Sequence, residues 1–458
     1  MRLDEFIEGL ERDEDAERRQ LAREKSYAIT EYLDEVEGTL RDAVSGGSVV
    51  GSTAPSIFVG HSNYPRVSTG LLSPVGNEER AADYVTDSSW YRRSYSIEDV
   101  FQHRAGLLNS NRTAHVESVA SKPGSIGSGT SAGISLPGES VGSAAGPLTD
   151  APAVHDVWDG FVGVQREVAI ADRPVDVEIG LSDRLDLGFD VDEVASPVGP
   201  RTHARSAELG ENPHVPRPVK KTLSDDDWRA EGAMTYLYRR GFDVYDIKTI
   251  LSAGALGRAE TRRLVPTRWS ITAVDDTIGQ YLRGRIESAP SVDEVTVWTG
   301  EYVGNQYWVV LAPGRWEYEL VEMKAGGSVW NPDPEGAVWI GSDYEGYDGR
   351  TAYVDETAGA YYAARLGVLE YLTERDRQAK VLVLRHVSDE YWGPVGVWQI
   401  RESVRNAFEG EYGTAETFGE AVGAIETHLP VSMTDLRRSS EMVAGLQTSL
   451  ADFASRRV

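Results

Sequence analysis

Four side chains in the second half of the chain have the types needed to cleave a phosphodiester. Asp275 and Asp276 are adjacent, and Glu322-x-Lys324 follows at the end of an expected strand. In such a set the carboxylates would hold magnesium, and the lysine would stabilise the attacking water or the phosphate. Glu-x-Lys also recurs in any charged chain, so ordinary surface charge is the plainer expectation. A second set is cationic. Arg258, Arg262, Arg263 and Arg268 fall close together, with Trp269 beside them. These arginines could contact nucleic-acid phosphates while Trp269 stacks on a base. The competing expectation is an inter-domain hinge in which they pair with carboxylates. A third set, Arg401 and Arg405, shares one helix face and could grip a phosphate, or be neutralised by Glu402 and other acids. The 8 histidines are scattered with no His-x-x-x-His pair, and His115-x-Glu117 lacks the cysteine half of a deaminase site. Gly-x-Ser-x-Gly occurs at Gly129–Gly133 and Gly138–Gly142, without the strand and helix of a nucleophile elbow.

The elements that must position these groups read as follows. Residues 2–44 carry a loose helical stripe ended by Ser45-Gly-Gly-Ser48. Residues 55–74 read as strand, tight turn, strand, with His61, Tyr64 and Arg66 displayed around Gly60, Asn63 and Pro65. A glycine turn beside an arginine can cradle a phosphate, although the spacing is not that of a known phosphate loop. Residues 120–150 are rich in Gly and Ser and read as a flexible insertion. Strands are expected at 157–170 and 175–181, and helices at 226–240, 243–251 and 254–259. Three successive antiparallel strands follow at 292–302, 307–312 and 315–323, joined by Gly304-Asn305 and Pro313-Gly314 turns. After a Gly-rich loop at 326–349 come a helix at 355–376, a buried strand at 381–384, and helices at 398–408 and 417–428. The sum is an α+β protein with two mixed domains, an antiparallel sheet in the C-terminal half and a helical tail. The expected divisions are 1–48, 49–265, 266–429 and 430–458.

Composition narrows the function classes. The 458 residues include 46 basic and 73 acidic side chains, a net charge of −27, with the acids dispersed along the chain. Dispersed acidity fits a protein that stays soluble in concentrated salt, as in halophiles, and does not exclude nucleic acid. With no cysteine there is no disulfide, no thiolate catalysis and no Cys-ligated metal site. No apolar run is long enough to span a membrane and the start is not signal-like, so a cytoplasmic protein with no membrane partner is expected.

Near the end of the chain, Gln447-x-x-Leu450-x-x-Phe453 places an aliphatic and an aromatic side chain one turn apart, with a bidentate amide one turn earlier. This resembles the peptide by which repair and replication proteins bind the sliding clamp, PCNA. Ala454 stands where a second aromatic is common, which weakens the plug by roughly 1–3 kcal/mol. Seven further segments, in order, are similar to the archaeal Nre family of DNA repair proteins. They include Phe58-Val-Gly-His-Ser-Asn-Tyr-Pro65, Val265-Pro-Thr-Arg-Trp-Ser-Ile-Thr272, Gly359-Ala-Tyr-Tyr-Ala-Ala-Arg365 and Pro394-Val-Gly-Val-Trp-Gln-Ile-Arg-Glu402. The resemblance implies a DNA damage repair factor brought to PCNA by Gln447, Leu450 and Phe453, with DNA and other repair proteins as further partners. It brings no assigned reaction and no cofactor. Relatives with a Cys-rich N terminus would bind zinc there, whereas residues 1–48 hold no cysteine here. The alternatives are a metal-dependent nuclease using Asp275 or Asp276 with Glu322, Lys324 and magnesium, and a non-catalytic repair scaffold.

Overall fold

The computed structural model describes residues 27–76, 78–119, 160–331 and 336–446. The expected insertion at 120–150, the start of the N-terminal helix and the peptide Gln447–Phe453 lie outside these residues. Two six-stranded mixed sheets, each with its own helices, make an α+β protein of two domains.

The first sheet is built from β1 (Ser48–Thr53), β2 (Ile57–Val59), β3 (Arg66–Pro74), β4 (Leu107–His115), β5 (Val175–Asp186) and β6 (Arg201–Leu209), in the order β1-β5-β6-β4-β3-β2. Among the described residues of this sheet, only β4 and β6 pair in parallel. In β5 the strict alternation is realised: Val175, Val177, Ile179 and Leu181 are buried while Asp176 and Glu178 face solvent. The helices Tyr27–Ser45 and Gly160–Ala169 share a core with these residues through Leu40, Val44, Phe161 and Val168. The second helix corrects the strand expected at 157–170. Its valines suggest extended chain, but Phe161, Gln165 and Val168 recur at helical spacing and are all buried.

The second sheet contains β7 (Val295–Tyr302), β8 (Asn305–Ala312), β9 (Glu317–Lys324), β10 (Trp339–Glu345), β11 (Lys380–Val387) and β12 (Tyr412–Ala415), ordered β10-β9-β11-β8-β7-β12. The β7–β8 hairpin turns on Val303 and Gly304, both with positive φ (44° and 73°), one residue before the expected Gly304-Asn305. A Cβ on Gly304 would lie 2.6 Å from the Tyr391 nitrogen, so this corner needs glycine. The expectation of three successive antiparallel strands holds for β7 and β8 only. β11 inserts between β8 and β9, antiparallel to the first and parallel to the second. The helix Ala358–Glu374 supplies the crossover that a parallel pair requires. β10 forms inside the segment expected as loop.

Val381-Leu-Val-Leu384 is buried on both faces. Val381 and Val383 join the core beneath the helices Thr267–Ile286, Ala358–Glu374 and Trp398–Ala407, while Leu382 and Leu384 meet Phe418–Glu426 and Met433–Ser439 on the other side. The helix expected at 226–240 is realised as Ala230–Arg239, stopped by Gly241 at φ 87°. Val244–Ser252 follows as expected, but 254–259 is not helical, because Gly254 and Gly257 turn the chain at φ 70° and 100°. No helix among the described residues is long and apolar enough to cross a membrane.

Candidate nucleic-acid interface

The Thr267–Ile286 helix carries the first-turn residues Arg268 and Trp269 and the third-turn pair Asp275 and Asp276. Successive helix positions point about 100° apart, so the two aspartates diverge. Asp275 is buried and ion-paired with Arg401, and Asp276 is partly exposed and paired with Arg365. Burial pushes the Asp275 carboxyl above the usual carboxylate range despite the Arg401 guanidinium beside it. Glu322 lies elsewhere, on β9. Its carboxylate receives Arg385, which Asn305 Oδ1 also holds at 2.7 and 3.0 Å, and Lys324 Nζ stands 3.5 Å away. Lys324 also sits 3.9 Å from the Trp339 ring centroid. The structure therefore does not bring Asp275, Asp276, Glu322 and Lys324 into one site. Each carboxylate is engaged by its own arginine. Among the described residues no group of three or more His, Asp or Glu side chains converges so as to hold a metal ion.

The basic candidates separate in the same way. Arg262 is buried and donates to the Gly257, Thr222 and Leu223 carbonyls at 2.9, 3.2 and 2.9 Å, tying its loop to the end of the Arg217–Ser224 helix. It cannot also reach a ligand at the surface. Arg263 is exposed, and Arg268 bridges Asp192 and Glu193 at 2.8 Å each. Arg401 and Arg405 share a helix but not a ligand: Arg405 forks onto Glu370 at 2.7 and 2.8 Å and meets Glu402 at 2.8 Å.

Trp269 behaves differently. It is 45% exposed and leans on Tyr64, itself 42% exposed, with ring centroids 5.1 Å apart. Trp269 also lines a surface groove of about 470 Å³ with Tyr353, Tyr362, Arg268, Thr272 and Asp276. Tyr353 is 52% exposed and lies 5.3 Å from Tyr362. Three of the six large apolar side chains that the described surface exposes thus meet at one place. Arg66 opens β3 just after the turn that carries Tyr64 and is also exposed. Sequence reasoning found Trp269 but missed Tyr353 as its neighbour, because the two are far apart in the chain and only the fold brings them together.

The comparisons with known proteins decide the family resemblance. The family described as "Archaeal Nre, N-terminal" matches residues 21–141 and 149–331, and "Archaeal Nre, C-terminal" matches residues 345–453. The chain belongs to the archaeal Nre family. It is 61% identical over 456 residues to the DNA repair protein NreA of Haloferax volcanii, covering 99% of this chain and all of that one. It is 33% identical over 414 residues to the DNA repair protein NreA of Archaeoglobus fulgidus, covering 90% and 92%. The DNA repair protein NreB of the same organism is 30% identical over 407 residues, covering 88% and 92%. No solved structure matches the chain. The Nre N-terminal segment carries Tyr64 and Trp269, and the C-terminal segment carries Tyr353, so the aromatic groove is assembled from both.

The Nre C-terminal segment also includes Gln447, Leu450 and Phe453. The described chain stops at Leu446, one residue earlier. Its last helix, Glu441–Ala444, is fixed to the body by Glu319 of β9, which accepts from Ser440 Oγ and the Glu441 and Met442 amides at 2.7, 2.8 and 2.9 Å. Burial raises the Glu319 carboxyl, against the pull of these donors. The stretch leading to the peptide is thus rooted in the sheet.

Proposed function

We propose that this chain is a DNA repair factor that PCNA recruits through Gln447, Leu450 and Phe453, and that holds unstacked DNA on the Tyr64–Trp269–Tyr353 surface. The convergence of three exposed aromatic rings carries the DNA-binding part of this reading. A base stacked on an aromatic side chain contributes about 1–3 kcal/mol and needs no particular sequence. Stacking also survives salt that screens phosphate contacts, which suits a chain whose charge of −27 fits concentrated electrolyte. Exposed Arg66, close after Tyr64 in the chain, would meet the backbone, while Arg268 beside Trp269 is already held by Asp192 and Glu193. The repair role is supported by the names of the relatives, and the clamp contact by the spacing and position of the peptide.

Leu450 and Phe453 would give about 3–6 kcal/mol before ordering costs, a contact in the micromolar range. Because the chain is anchored at Glu319 just before the peptide, the body stays beside the clamp, and local concentration at DNA does what tight binding would otherwise do. The metal-dependent nuclease reading has no such support, since its four residues fall into separate ion pairs.

Trp269→Ala is expected to weaken binding of single-stranded DNA by about tenfold, with little change in stability because the ring is half exposed. Fluorescence anisotropy in molar salt checks this, and unchanged affinity would remove the platform. Phe453→Ala is expected to abolish capture by PCNA while the unfolding midpoint stays where it is. Calorimetry showing equal clamp binding by both proteins would sink the recruitment reading.

A further inference from the structure

Beside the β2–β3 turn, a bay of about 580 Å³ is lined by Gly60, Asn63, Arg66 and Arg268. Phe58, Ala195, Ser196 and Val198 line both this bay and a second, inner chamber of about 40 Å³. The charged side chains lining the inner chamber are Arg104, Lys248, Arg401 and Asp275. In a chain of net charge −27, this interior has an excess of two positive charges.

Arg401 is ion-paired with Asp275, whereas the other two cations have no carboxylate partner among the described residues. Arg104 is buried, donates to the Thr86 hydroxyl and lies 5.1 Å from the Trp90 ring centroid, with no carboxylate paired to it among the described residues. Its Nε has no hydrogen-bond partner there, and neither do Arg401 Nε or Asp275 Oδ1. Half-buried Lys248 makes no hydrogen bond or ion pair among the described residues. The N-termini of the Thr267–Ile286 and Trp398–Ala407 helices also reach the chamber at Thr267 and Trp398, and neither has a side-chain cap. Uncapped amides at a helix start favour an anion.

We propose that the inner chamber binds a terminal phosphate monoester, seated among Arg104, Lys248 and Arg401, with the attached nucleoside in the wider bay. The charge matches: a monoester carries about −1.5 to −2 at neutral pH, and the chamber's excess is two. The size matches as well. A volume of about 40 Å³ takes a group of a few waters' bulk, whereas a base and sugar need the bay outside. Burial pulls Arg104 down to about 10, and burial followed by the Arg104 and Arg401 charges pulls Lys248 down to about 8. An entering anion relieves both. The phosphate comes either from a free mononucleotide or from the end of a nucleic-acid strand. The strand-end source rests on the DNA-binding reading above, and the phosphate chemistry does not.

The test uses the full chain in molar salt with four probes: inorganic phosphate, thymidine 5′-monophosphate, and one single-stranded oligonucleotide bearing either a phosphate or a hydroxyl at its 5′ end. Wild type is expected to be stabilised thermally by inorganic phosphate and to bind the phosphorylated strand about tenfold tighter than the hydroxyl strand. Lys248→Gln, at a half-buried and unpaired position, is expected to fold normally and to erase both effects. Trp269→Ala is expected to weaken both strands alike and leave the response to inorganic phosphate intact. Mononucleotide binding that needs Lys248, with neither strand bound, upholds the chamber, assigns it to free nucleotides and removes the DNA platform instead. Equal affinity for the two strands together with no response to inorganic phosphate or mononucleotide overturns the proposal.

Discussion

Asp275→Ala is expected to unfold about 3–5 kcal/mol more easily than wild type, the loss found when one member of a buried ion pair is removed. Asp275 is 1% exposed and Arg401 2%, and they join the Thr267–Ile286 and Trp398–Ala407 helices across the larger core. Without the carboxylate, the Arg401 charge keeps the Tyr245 ring, 4.9 Å from its centroid, but no directly paired carboxylate. The neighbouring Asp276→Ala is expected to cost under about 1 kcal/mol, the range of a partly exposed pair. Its partner Arg365 keeps Glu345 at 2.7 Å, so no buried charge is stranded. Replacing both members, Asp275→Leu with Arg401→Met, is expected to be less harmful than Asp275→Ala alone, because an apolar pair leaves neither charge unmatched. Urea midpoints of the three variants at fixed salt check this. Equal losses for Asp275→Ala and Asp276→Ala would contradict the ion-pair account. Loss of function in Asp275→Ala therefore does not by itself place this carboxylate at a reaction centre.

The contrast between these aspartates shows where the sequence is legible. Strand β5 was readable because one face is wet, so burial imposes period two on the residues themselves. The run at β11 was readable because both faces are covered. On β9 the strand was expected, but not that Glu319 and Glu322 within it are buried. The cover comes from the tail at Ser440–Met442 and from Arg385 on the adjacent strand, partners that local pattern cannot announce. The arginines failed to read for the same reason. Arg262, Arg263 and Arg268 look equivalent as a cluster, but a backbone cradle takes the first, solvent the second and two carboxylates the third. Trp269 stood out because it is an aromatic beside a cluster of arginines, although only the structure shows that its ring is exposed. The inner chamber was invisible, since Arg104 and Lys248 carry no motif and meet only through the packing of distant elements.

That chamber has an energetic signature of its own. Lys248→Met is expected to stabilise the protein at neutral pH by about 1–3 kcal/mol, since a tenfold loss of proton affinity on folding corresponds to about 1.4 kcal/mol, reduced here for partial exposure. The sign follows from protons. Lys248 titrates at about 8 in the folded chain and near 10.4 unfolded. Below 8 both states hold the proton, and the folded state bears the full penalty of a half-buried charge facing Arg104 and Arg401. Between about 8 and 10.4 the unfolded state binds more protons, so wild-type stability rises with pH and the advantage of methionine shrinks. Above that window both states are neutral and the advantage is gone. Of the other groups around Lys248, Asp246, raised by burial to about 6, titrates below the window, and Tyr245, buried, is held well above its ordinary value; Arg104, lowered by burial to about 10, titrates at the upper edge of the window but is present in both proteins, so the difference between them reads Lys248. Asp275, also facing the chamber, is a carboxylate raised by burial and pulled back by Arg401. Urea denaturation of both proteins from pH 7 to pH 11 reads the difference directly, and a gap that does not close with rising pH would refute the assignment. Saturating phosphate adds a second axis, because a ligand that binds only the folded state stabilises wild type and leaves the methionine variant unmoved. A lysine that costs stability when the chamber is bare and repays it when an anion enters is retained for binding, and the same pair of titrations measures both halves of that exchange.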